Sequence, residues 1–184
     1  MIVYLEGEVI KKTPTYITLK TYGVGYGVNL SLLTAAKINK QDKVALLITQ
    51  IIKEDSHKLY GFLEESEQIL FEALIKVNGI GAASAMALLS SMDVASLQSA
   101  IINENAKALC KAPGIGAKTA SRLILELKDK IIKLGISAEN NYYYEASEAL
   151  LALGFKQDAV IKALKDINAN SVSEVIKLAL KKLS

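Results

Sequence analysis

Two short phrases in the chain, Asn78-Gly79-Ile80-Gly81 and Pro113-Gly114-Ile115-Gly116, combine residue types that can hold an anion without a charged pocket. Glycine reaches positive φ without a Cβ clash and leaves the main chain bare, so a Gly-x-Gly turn lets a second chain come close. Where a helix follows, its first amides are unpaired and point outward, and the helix dipole favours negative charge there. A nucleic-acid phosphate fits such a site without any contact to a base. The second phrase is followed by Lys118 and Arg122, four residues apart and so on one face of the helix it opens. Read singly, each phrase is more often only an ordinary helix cap or stop. Two copies 35 residues apart, Gly79 to Gly114, in the same helix-turn-helix setting favour binding to a duplex backbone.

The flanking pattern supplies the helices. Ile69, Leu70, Ala73, Leu74 and Val77 lead into the first phrase, and Ala120, Leu123, Ile124 and Leu127 follow the second, with the i, i+3, i+4 spacing of amphipathic helices. The periodicity predicts helices over 66–77, 82–91, 94–102, 105–111 and 117–134, with Asp93 as an N-cap. Before residue 64 the period is two. Segments 2–11, 15–21, 23–31, 43–53 and 58–63 are rich in Val, Ile, Thr and Tyr and are separated by turn signals such as Thr13-Pro14 and Tyr22-Gly23. Five such strands, with a helical turn between 32 and 40, predict an OB-fold barrel. Gly23, Gly25 and Gly27 form one face of their strand, which suits tight curvature or close packing. They lie inside a strand pattern, so they are not a dinucleotide fingerprint.

After residue 134 the chain turns polar, and 135–144 reads as a flexible linker. Three helices follow, over 145–153, 157–167 and 172–182, with Leu153-Gly154-Phe155 as the first turn and Ser171 with Glu174 as a capping box. Tyr142, Tyr143 and Tyr144 have two readings, docking the linker or starting the next helix. The fold class is therefore α+β: a barrel over 1–64, a double helix-hairpin-helix domain over 65–134, the linker, and a three-helix bundle over 145–184. A bundle this small cannot hide all of its Leu, Ile and Val, which points to a partner-docking face.

Composition bounds the function. At 184 residues and 51% hydrophobic content the chain can bury a real core, but a net charge of +3 is only mildly basic. DNA affinity must then come from locally placed amides and cations, or from several subunits together. A mean hydropathy of +0.27 is high for a soluble chain and hints at apolar surface covered by other subunits. The single cysteine, Cys110, excludes an intrachain disulfide and reads as a small buried hydrophobe in a reducing cytoplasm. The start lacks a signal peptide's features and no apolar run approaches a membrane span, so a cytoplasmic protein with no membrane association is expected. His57 stands without the partners a metal or a base would need, and no metal or other cofactor is expected. From residue types alone, Lys53-Glu54-Asp55-Ser56 is a solvated hairpin tip.

Four separated motifs nevertheless occur in a specific order. Gly23-Val24-Gly25-Tyr26, then 53–62 (Lys53-Glu54-Asp55-Ser56 through Gly61-Phe62), then the two Gly-Ile-Gly phrases, then 148–155 ending in Leu153-Gly154-Phe155, resemble the RuvA family over the whole chain. That resemblance implies a homotetramer, or two tetramers, holding four-way (Holliday) junction DNA open during recombination, repair and the SOS response. It implies recruitment of the hexameric ATPase RuvB through the C-terminal bundle, with Leu150, Leu153 and Phe155 as partner-binding residues, and RuvC resolvase as a further partner. It implies DNA contacts at Gly79, Ile80, Gly81, Gly114, Ile115, Gly116, Lys118 and Arg122, and an acidic pin at Glu54 and Asp55. The chain departs from the family at 82–84 and 117–118. Ala82-Ala83-Ser84 and Ala117-Lys118 carry fewer basic residues than the family pattern, so the glycine amides are expected to bear more of the phosphate binding. An enzyme is the rival class, since helix-hairpin-helix units also occur in glycosylases and nucleases. The chain has neither a Walker A loop nor a convincing acidic cluster beyond Glu54-Asp55, so ATP hydrolysis must come from elsewhere. A second rival is an adaptor whose hairpins are merely structural.

Overall fold

Alternating apolar residues build the first element. Strands β1 (Tyr4–Thr13), β2 (Tyr16–Thr21), β3 (Val24–Asn29), β4 (Lys43–Lys53) and β5 (Ser56–Phe62) close into a barrel in the order β1-β2-β3-β5-β4. The single parallel pair is β3 with β5, through Val28 opposite Leu59 and Asn29 opposite Tyr60, and the Asn29 side-chain amide donates to the Leu59 carbonyl at 3.0 Å. Strand β1 closes the circle by serving two neighbours, β4 through Tyr4 to Glu8 and β2 through Glu8 to Thr13. An irregularity between Val9 and Lys11 bends it from one to the other. Val9, Ile17, Leu19, Val28, Leu46 and Ile48 fill the interior, and α1 (Leu32–Ala36) sits between β3 and β4, which is the OB-fold arrangement the sequence predicts. Close packing on the glycine face takes a specific form: a Cβ on Gly27 would fall on the Tyr16 phenol.

The computed structural model describes residues 1–134, 141–164, 167, 169 and 171–183, and these divide into two units, Met1–Leu127 and Lys128–Ser184. The first unit joins the barrel to α2 (Glu65–Ile75), α3 (Ala82–Ser91), α4 (Val94–Ile102), α5 (Ala106–Leu109) and the start of α6 (Ala117–Leu134). Phe71 of α2 packs against Tyr60 and Phe62 of β5, with ring centroids 5.0 and 5.1 Å away, so the hairpin helices sit directly on the barrel wall. Asp93 caps α4 as expected, its carboxylate accepting the Ser96 amide at 2.8 Å. Cys110 departs from expectation. It is exposed, because the C-cap of four-residue α5 turns outward while the preceding Leu109 takes the buried place.

In the second unit α7 (Asn141–Ala152), α8 (Gln157–Leu164) and α9 (Val172–Leu183) pack around Ala146, Leu150, Val160, Ala163, Val175 and Ala179. Helix α7 starts at Asn141, so Tyr142, Tyr143 and Tyr144 belong to its first turn; their side chains, and residues 135–140 of the expected linker, lie outside the described residues. The turn after α7 is a Schellman motif. Phe155 N–H donates to the Leu150 carbonyl at 3.3 Å and Gly154 N–H to that of Leu151 at 2.9 Å, with Gly154 at φ +91°. Ser171 accepts the Glu174 amide at 3.4 Å, which is one half of the expected capping box. Among the described residues no single helix is long and apolar enough to cross a membrane.

Candidate nucleic-acid interface

The two glycine phrases fold into the same turn. After α2, Ile80 N–H donates to the Val77 carbonyl at 3.0 Å across Asn78 and Gly79; after α5, Ile115 N–H donates to the Ala112 carbonyl at 3.2 Å across Pro113 and Gly114. Gly79 and Gly114 occupy the third turn position with φ of +90° and +80°, a conformation that favours glycine. Gly81 and Gly116 then begin the next helices, their carbonyls accepting from Ala85 and Ala120 N–H at 3.0 and 2.9 Å. The repeat extends into the core. Leu74, Val77, Ile80, Ala85 and Leu88 are buried, and so are Leu109, Ala112, Ile115, Ala120 and Leu123, each 35 positions on.

This geometry separates two roles within each phrase. Ile80 and Ile115 are buried anchors, and their amides are used in closing the turns. They carry the loop but offer no donor to a ligand, contrary to the expectation that all three residues of each phrase do so. The Gly79, Gly81, Gly114 and Gly116 amides have no acceptor among the described residues, and a Cβ built on Gly81 or Gly116 meets nothing within 4 Å. Bare backbone, free amides and an adjacent helix start on the open side suit a phosphate.

Side chains also reach from each hairpin to the other's turn. Arg122 of α6 donates through Nη1 to the Asn78 carbonyl at 3.2 Å, and the same nitrogen lies 3.8 Å from where a Gly79 Cβ would stand. In return, Ser84 of α3 places its hydroxyl 3.9 Å from a Cβ on Gly114. Each turn is thus faced by a polar side chain from the helix that follows the other, and the two form one surface. Lys118 is exposed in the first turn of α6; its counterpart in the repeat is Ala83. The sequence placed Arg122 with the second phrase, whereas the structure brings it to the first. Asn78 and Ser84 take part through partners distant in the chain, Arg122 and Gly114, and their residue types alone do not signal it.

Glu54 and Asp55 form the two-residue loop of the β4-β5 hairpin, closed by Lys53 opposite Ser56, and both are exposed. In the second unit Leu150 is fully buried, Phe155 is half-buried against the same core, and Leu153 is 64% exposed. Leu150 is therefore core, because its face of α7 meets α8 and α9, and of the three only Leu153 is fully presented. Among the described residues no three His, Cys, Asp or Glu side chains are grouped to hold a metal ion.

Comparison with known proteins agrees with this layout. Residues 1–61 match the family described as RuvA N terminal domain, 71–129 the SAM-like helix-hairpin-helix tandem, and 142–184 the RuvA C-terminal domain. The chain is 50% identical over 185 residues to a Campylobacter lari protein named Holliday junction branch migration complex subunit RuvA, with both chains covered completely. The chain belongs to the RuvA family. RuvA subunits of the same name from Campylobacter jejuni and Campylobacter curvus are 50% and 49% identical, again over the whole of both chains. The RuvA matches at both ends bracket the tandem that contains the two glycine turns, so barrel, turns and bundle all fall within family regions.

Proposed function

We propose that this protein is the non-catalytic, DNA-binding subunit of a branch-migration complex: it binds four-way junction DNA, holds it open, and recruits a hexameric ATPase of the RuvB type that supplies the motor. The observation that carries the reading is the pair of matching glycine turns on one surface, each with free amides and each faced by a polar side chain from the other's helix. One such surface holds two stretches of backbone without reading sequence. Four copies in a tetramer hold four arms. Gly79, Gly81, Gly114 and Gly116 bind phosphates, Lys118 and Arg122 add charge, and Glu54 with Asp55 is the acidic pin at the crossover. The bundle docks the ATPase through Leu153 and the neighbouring Phe155. A RuvC-type resolvase is the further partner of the assembled junction.

The test is a gel-shift titration of a four-way junction against linear duplex of equal length across salt concentrations. Simultaneous engagement of several arms should make the junction tighter by on the order of 10²-fold, with log K falling linearly in log salt. Equal affinity for both substrates at matched ionic strength rejects the assignment, and binding to neither at low salt favours a purely structural role for the hairpins.

A further inference from the structure

The barrel and the hairpin helices meet through a buried acid. Glu67, in the first turn of α2, is 7% exposed, and each of its carboxylate oxygens accepts one hydroxyl: Ser31 donates to Oε1 at 2.7 Å and Thr34 to Oε2 at 2.6 Å. Both hydroxyls are buried and come from the start of α1, where Ser31 is the N-cap and its oxygen also accepts the Thr34 amide at 3.1 Å. A carboxylate is costly to bury, and apolar residues of similar volume would join two elements at least as firmly. What the acid adds is direction. Two oxygens matched one-to-one with two hydroxyls on a short, capped helix admit a single setting, since rotation of α2 would strand a buried oxygen without a donor.

The other polar links across this junction are wetter. Thr49 donates to Glu72 at 2.9 Å and accepts from Gln68 at 3.1 Å in half-buried positions, and the Leu32 amide donates to Ser90 at 3.0 Å on the surface. Water can replace any of these. Helix α2 runs within a residue into the Val77 to Ile80 turn, and Arg122 links Asn78 of that turn to α6. A setting imposed at Glu67 is therefore passed to both glycine turns.

We propose that Glu67 is a positioning residue: gripped by Ser31 and Thr34, it fixes the orientation of the hairpin helices against the barrel that carries the Glu54-Asp55 tip. The grip itself is independent of DNA, and its consequence for junction selectivity rests on the proposed function.

The single, exposed Cys110 offers a natural label on the helical side, and Lys58→Cys, at an exposed position of β5, supplies one on the barrel. Double-labelled chains, diluted with excess Cys110→Ser chains so that distances are read within one subunit, should give a single narrow spin-spin distance with the native Glu67. Glu67→Ala should broaden or shift it, and Glu67→Gln should restore it, because hydroxyls can accept as well as donate. Thr34→Val, which removes one hydroxyl at constant shape, should give an intermediate result and serves if Glu67→Ala does not fold. Native-like distances in Thr34→Val and in a folded Glu67→Ala overturn the proposal. In the same variants the junction-to-duplex affinity ratio should fall for Ala and recover for Gln. A native protein without junction preference would count against the proposed function alone, leaving the distances to decide the role of Glu67.

Discussion

Arg122 Nη1 donates to the Asn78 carbonyl at 3.2 Å, which joins residues 44 positions apart and places the cation of the second hairpin's helix on the first hairpin's turn. The repeat explains the economy of this arrangement, since the first hairpin has Ala83 where the second has Lys118. Arg122→Ala should therefore weaken junction binding and flatten its salt dependence by about one ion per engaged subunit. Adding Ala83→Lys should recover more affinity in the Arg122→Ala background than in the native one. Equal gains in both backgrounds would show that Arg122 does not serve the first turn.

Glycines within one phrase should behave oppositely. Gly79 sits at φ +90°, so Gly79→Ala strains the turn and should destabilise the first unit by roughly 1–2 kcal/mol. Gly81 is an N-cap with ordinary φ −90° and ψ 172° and open space where a Cβ would go. Aspartate caps slightly better than glycine, so Gly81→Asp should leave thermal stability equal or raise it by roughly a few tenths of a kcal/mol. The same carboxylate occupies the open side of the turn and repels phosphate, so junction binding should fall sharply. Melting curves and gel shifts on one preparation check both signs.

Much of this layout was legible in local pattern. The ends of β4, α3, α4 and α6 fall where periodicity, the Asp93 cap and the glycines put them, because each boundary is set by residues within a few positions of it. What escaped depends on partners distant in the chain. Nothing near Arg122 says that it reaches Asn78, and nothing in the type of Glu67 says that a glutamate near the start of a helix is buried by hydroxyls more than thirty residues earlier. Leu150 and Leu153 look alike in an apolar run, yet one faces the bundle core and the other solvent, since α7 ends between them and Leu153 belongs to the turn.

That difference can be measured. Leu150→Ala removes a fully buried side chain and should destabilise the second unit by about 2–5 kcal/mol. Leu153→Ser should leave its melting transition within about 0.5 kcal/mol, as surface changes generally do, while reducing stimulation of the partner ATPase. Full stimulation by a folded Leu153→Ser protein would place the docking face elsewhere on the bundle.

The Asp93 cap supplies a pH-dependent contribution of known sign. Hydrogen bonds from the Ser96 amide and hydroxyl hold its carboxyl below the ordinary value of 3.8 in the folded protein. A depressed carboxyl stabilises the fold above its unfolded pKa and loses that contribution as pH falls from there through the folded value. Asp93→Ala should thus cost about 1 kcal/mol near neutrality. The gap between native and variant should close as acid denaturation curves pass below pH 3.8. A gap that stays constant down to the lowest measurable pH would assign the loss to something other than the ionised cap.

The β4-β5 tip sets the electrostatics of the junction centre under the proposed function. Glu54 and Asp55 are both exposed at the end of a two-residue loop. Four subunits would bring these carboxylates around one crossover, where each close pair of like charges costs about 1 kcal/mol at 4 Å even in bulk water. Phosphates of a continuous duplex crossing the centre would meet the same repulsion, whereas an open junction keeps its strands to the sides. The tip should therefore lower affinity for duplex more than for junction. Screening removes such effects beyond about 8 Å at physiological salt, so the two carboxylates themselves must carry it. Glu54→Gln with Asp55→Asn should raise duplex affinity, narrow the junction-to-duplex ratio and alter partner-driven branch migration, with the ratio effect shrinking as salt is added. Both affinities, measured for native and double-variant protein at two salt concentrations, decide it: an unchanged ratio at low salt would leave the pair as an ordinary charged hairpin.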